Sequence, residues 1–159
     1  MSTRAVGRQS VAGGRIVRLV GVYDADSTLR GEVSYWIGAR LGRRHCSLCD
    51  ITHGSIRRRP EWTACTDGLP VPFDTYHRND QPDAVRAAAG GAAPVVVADI
   101  TTDITTDITT DIMTDVSGGT GHVVLLGPDE LDACDASIDR LVEAIEAAVV
   151  RLGLGWPAA

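Results

Sequence analysis

Residues 92–99 read AAPVVVAD, an apolar run entered through Pro94 and closed by Asp99. A run this short between breakers predicts a buried strand. Upstream, NDQPDAVRAAAGG at 79–91 predicts a short helix, with Asp80 as cap, Pro82 in the first turn and Gly90 at the end. Before it, VPFDTYHR at 71–78 reads as a strand. Downstream, HVVLLG at 122–127 is a further strand. From Pro128 onward, Leu131, Cys134, Ile138, Leu141, Val142, Ile145, Val149 and Leu152 keep helical spacing, with Asp135 or Ser137 dividing a short turn from a long helix.

The N-terminal half begins with MSTRAVGRQSVAGG, which has no apolar central segment and reads as a disordered tail over 1–14, not a secretory signal. IVRLVGVY at 16–23 predicts a buried strand. Asp26 or Ser27 can cap a helix in which Leu29, Val33, Trp36, Ile37 and Leu41 share one face, and Gly42 stops it. Residues 43–72 follow as a long, weakly periodic connection, the kind that is functional or carries small helices of its own.

Between the last two strands lies ITTDITTDITTDIMTD, which returns isoleucine at 100, 104, 108 and 112 and aspartate at 103, 107, 111 and 115. In an extended chain this even period separates isoleucines from aspartates onto opposite faces. Threonine is a poor helix former, so 100–119 reads as an extended or irregular excursion at a hairpin tip. It lacks the glycines with which tight calcium loops turn.

The order is strand, helix, long connection, strand, helix, strand, strand, helix. Strands joined through helices tend to pair in parallel, and a short link makes the last pair antiparallel. The expected fold is α/β: a mixed four-stranded sheet with helices on both faces, in a single domain over 15–153. At 159 residues and 44% hydrophobic, the chain has enough apolar material for one sizeable core. A net charge of −6 and the absence of lysine argue against nucleic-acid binding. No apolar run approaches the roughly 20 residues that span a bilayer, and a cytoplasmic location is expected.

This βαβαββα order, together with AAPVVVAD, resembles the thioredoxin and glutaredoxin superfamily. The resemblance implies a cis-proline just before the third core strand, here Pro94, facing a dithiol. In that family the Cys-x-x-Cys follows the first strand and opens the first helix. Here that place is taken by DADSTLRGEVSYW, and Cys46 and Cys49 come later, in the long connection. The string CSLCDITHG, with a later His77-Arg78, is also similar to a group of uncharacterised bacterial proteins with a CxLCxxT motif, which brings no function with it.

HCSLCDITH, residues 45–53, supports three readings. In the first, Cys46 and Cys49 are a redox pair: a thiolate must form before it attacks a disulfide, and Arg43, Arg44, His45, His53 and Arg57 to Arg59 supply nearby positive character. Cys46 is then the expected nucleophile and Cys49 the resolving thiol, acting on a thiol or protein-disulfide partner, with His77 within reach from its strand end. In the second, Cys46, Cys49 and His53 hold Zn²⁺, with His45, Cys65 or His77 as fourth ligand, in a noncatalytic metal-binding or interaction module. In the third, both thiols pack as small apolar residues. Cys134 falls on an apolar helix face and reads as structural, as does Cys65.

GVYDADSTL, residues 21–29, resembles the first motif of the haloacid-dehalogenase-like phosphatases, Asp-x-Asp-x-Thr after an apolar strand. The resemblance implies Asp24 as nucleophile and Asp26 as acid and base, with Mg²⁺. It also requires a cation late in the chain, and His122 alone stands between Arg86 and Arg140. An acidic helix cap explains Asp24 and Asp26 equally well. A P-loop is excluded, since it requires a lysine.

Overall fold

The structure is a computed structural model, and it describes residues 14–25, 46–53, 59–102 and 120–159. The tail at 1–13, the helix expected after Asp26, the ligand candidate His45 and the repeat from 103 to 119 lie outside the described residues.

Four strands and five helices are described: β1 (Gly14–Tyr23), α1 (Ser47–Thr52), α2 (Pro60–Asp67), β2 (Phe73–His77), α3 (Asp83–Ala88), β3 (Val95–Thr102), β4 (Thr120–Leu126), α4 (Pro128–Ala133) and α5 (Ile138–Arg151). The sheet order is β2-β1-β3-β4, with β1 and β2 parallel and the other pairs antiparallel. The protein is therefore α/β with an open, mixed four-stranded sheet.

One expectation needs correction. β2 and β3 are joined through α3, yet they do not pair, and β3 runs antiparallel to β1 between them. The link through α3 crosses over β1 and leaves the chain at the end of the sheet where β2 finishes. β3 therefore starts at the edge where β2 ends: Tyr23 pairs with His77, and Val22 pairs with Val95. Pro94, whose bond to Ala93 is cis, stands at this same edge.

The two faces of the sheet bury different partners. Val20, Val22, Val95 and Val97 alternate onto one face, where Val85 of α3 completes a small cluster. Leu19, Tyr23, Val96, Ala98 and Ile100 line the other, against Leu48 and Ile51 of α1, Trp62 of α2, Leu131 of α4, and Leu141, Ile145 and Val149 of α5. Helices thus pack on both faces. The long helix forms because Leu141, Ile145, Ala148 and Val149 recur on one side, and Ser137 caps it by accepting the Arg140 N–H. At the start of α4, Glu130 accepts the Gly127 N–H at 2.7 Å.

Ile100, assigned by its sequence to the repeat, belongs to β3 and is buried against the sites of Gly14 and Gly121, so β3 continues to Thr102. Beyond 153 the chain still docks: Ile16 N–H donates to Gly155 O at 2.8 Å, Gly155 N–H to Gly14 O at 2.9 Å, and Trp156 Nε1 to Glu146. The 43–72 connection does carry helices of its own, α1 and α2.

Candidate dithiol site

α1 begins at the first cysteine. Cys46 has extended backbone, and its Sγ accepts the Cys49 N–H at 3.3 Å, satisfying one of the donors that a helix start leaves open. The backbone turn continues with Asp50 N–H to Cys46 O and His53 N–H to Cys49 O. This turn brings the two side chains together, with Cα atoms 5.2 Å apart, and Cys46 and Cys49 form a disulfide. The two sulfurs are not equivalent in their surroundings. Cys46 is 0% exposed within the main core, while Cys49 is only partly buried at its margin.

The far end of α1 joins the sheet edge through polar contacts. Thr52 Oγ1 lies 3.0 Å from the Tyr23 hydroxyl and 2.7 Å from His53 Nδ1. The Tyr23 ring meets His53 edge-on at 5.6 Å and tilts against His77 at 5.5 Å. His77 is anchored by Asp80, which accepts its backbone N–H and stands 3.4 Å from its Nδ1. Asp24, at the end of β1, pairs with Arg78 at 3.1 Å. A cation beside Asp24 was not foreseeable from a search of the late sequence, because it comes from the turn that follows β2. Asp26 lies outside the described residues.

Among the described residues no group of three or more His, Cys, Asp or Glu side chains is arranged to hold a metal ion. His53 turns its Nδ1 to Thr52, and Cys46 and Cys49 spend their sulfurs on each other.

The remaining thiols are poor candidates for redox chemistry. Cys65 lines an open cleft with Arg59, Glu61, Ser137 and Asp139. Burial, aided by the Asp139 charge, pushes its thiol above the ordinary value. Burial likewise raises Cys134, which donates to Glu130 O, with Glu130 adding to the shift and Arg140 opposing it. A thiol held protonated is a weak nucleophile.

One polar constellation went unread in the sequence. Across one face of the sheet, Arg18 of β1 donates through Nε to Asp99 Oδ2 at 2.8 Å and contacts Asp74 of β2 at 3.3 Å. Asp99 of β3 receives His122 of β4 on its other oxygen at 2.7 Å. Asp99 is buried, and these two partners meet both of its carboxylate oxygens. Burial, the largest single effect, lowers the Arg18 pKa, but the Asp99 hydrogen bond and charge, with Tyr76 and Asp74 adding to them, together outweigh it and leave the pKa raised. The sequence signal was present: an arginine inside IVRLVGVY and an aspartate closing APVVVAD interrupt otherwise apolar strands.

No family model matches this chain, and neither the curated proteins nor the solved structures contain a match to it. Among the described residues no helix is long and apolar enough to cross a membrane.

Proposed function

We propose that this chain is a thiol–disulfide redox protein, or a redox sensor, which uses Cys46 and Cys49 on a thioredoxin-like fold. The observation that carries the reading is the disulfide formed between the N-cap and first turn of α1. Three further features favour the fold assignment. The described strands and the later helices follow the expected succession in a mixed sheet, and Pro94 occupies the place the resemblance gives to its proline, immediately before β3. The dithiol also opens a helix packed on β1, which brings it closer to the family arrangement than its position in the sequence suggests. Its partner is a thiol or a protein disulfide, and its setting the cytoplasm, where a pair of this kind cycles instead of serving as a permanent staple.

Elemental analysis and thiol counting on one purified sample test the proposal. Of the four cysteines, the oxidised protein in denaturant should show two free thiols, Cys65 and Cys134, and four after reduction, with no stoichiometric zinc. One equivalent of zinc, lost in Cys49→Ser, would establish the metal-binding module instead. Four thiols that no mild oxidant alters would establish simple packing. Magnesium-dependent hydrolysis of a phosphate ester, lost in Asp24→Asn, would establish the phosphatase.

A further inference from the structure

The burial of the two sulfurs sets an order of attack opposite to the one the sequence suggests. Resting on the redox reading above, we infer that Cys49 is the sulfur through which partners are joined, and that Cys46 is the internal leaving and resolving thiol. A thiolate approaches a disulfide along the line of the S–S bond, on the side away from the sulfur it expels. For attack on Cys46 that side is the core, where Cys46 has no exposed surface and Leu48 and Ile51 are equally buried. For attack on Cys49 the approach comes from the margin of the core, where that residue is only partly covered.

The sulfur expelled is also the one provided for. When a partner thiolate bonds to Cys49 Sγ, the S–S bond breaks and its electron pair passes to Cys46 Sγ. That atom already accepts the Cys49 N–H at 3.3 Å, and a donor of this kind stabilises the thiolate until it takes up a proton. A leaving thiol of lower pKa departs faster. The second thiol of a partner dithiol then attacks the partner's own sulfur and expels Cys49 as thiolate. The partner dithiol is oxidised to a disulfide by two electrons, and the Cys46–Cys49 disulfide is reduced by the same two, taking up the two protons the partner gives up. Run backwards, Cys49 attacks a partner disulfide and Cys46 resolves the mixed species. The other thiols do not compete, since both are held protonated by burial.

The test maps the mixed disulfide on the intact, oxidised protein. A brief exposure to reduced glutathione, acid quenching and peptide mass spectrometry should find glutathione on Cys49, at least tenfold in excess over Cys46. The single variants provide a second measurement: with oxidised glutathione, Cys46→Ser should acquire the adduct on Cys49 at least tenfold faster than Cys49→Ser acquires it on Cys46. Adducts chiefly on Cys46, or equal on both, would overturn this order of attack while leaving the redox reading standing. A disulfide that neither glutathione nor dithiothreitol opens in the folded protein would overturn both.

Discussion

Leu48 of α1 lies directly over Gly21 of β1, so that a Cβ on residue 21 would stand 3.1 Å from Leu48 Cδ2 and 3.0 Å from Phe73 Cε1. The helix carrying the dithiol is seated on the central strand by the absence of a side chain. Phe73 has little room to yield, because Trp62 meets its ring edge-on at 4.9 Å. Gly21→Ala should therefore destabilise the fold by about 1–3 kcal/mol, as overpacking does. Thermal unfolding checks this, and an unchanged or raised melting temperature would show that α1 is less tightly seated.

The polar row across the sheet makes a graded prediction. Asp99→Asn weakens contacts to both Arg18 and His122 at a nearly buried position and should cost about 1–3 kcal/mol. Asp74→Asn touches the same arginine from a half-exposed position and should cost less than about 1 kcal/mol. Urea denaturation of both variants would contradict this account if Asp74 proved the more costly.

The sequence revealed the elements better than their arrangement. Runs such as IVRLVGVY and HVVLLG declare strands locally, and the spacing from Leu131 to Leu152 declares its helix. Strand order is not local: the link through α3 crosses over β1, so β3 lands on its far side and draws Arg18 to Asp99, 81 residues away. The dithiol motif was readable, while the difference in burial between its two sulfurs was not. That difference arises when α1 lies on the core with Cys46 beneath it, a property of packing and not of spacing.

Thr52 joins α1 to the sheet edge through the Tyr23 hydroxyl and to its neighbour His53. Thr52→Val keeps the shape but orphans a buried hydroxyl, and should cost about 1–2 kcal/mol. Tyr23→Phe removes the other half of the same bond. A double-mutant cycle by chemical denaturation should find the two costs clearly non-additive, and strict additivity would show that the bond is not formed in solution.

The alkaline limb of stability follows from the two unpaired thiols. Folded Cys65 and Cys134 titrate above their ordinary value of 9.0, chiefly through burial, while the unfolded chain ionises near it. Above pH 9.0 the unfolded state thus holds fewer protons than the native one, so stability declines as pH rises from there toward the folded values. Below it, both states are protonated and these thiols contribute no slope. The Cys65→Ala/Cys134→Ala variant should flatten this decline in urea melts between about pH 8 and 10, and an equally steep limb would remove burial of these thiols as its cause.

The reduction potential of the Cys46–Cys49 pair, measured by equilibrating the protein in graded dithiol–disulfide buffers and quantifying both forms, tests the central claim most directly. A cycling pair should give a single two-electron transition between roughly −270 and −120 mV, the span of known thiol–disulfide oxidoreductases. A value below about −300 mV, where the bond resists the glutathione pool, would make it a structural staple and contradict the redox function.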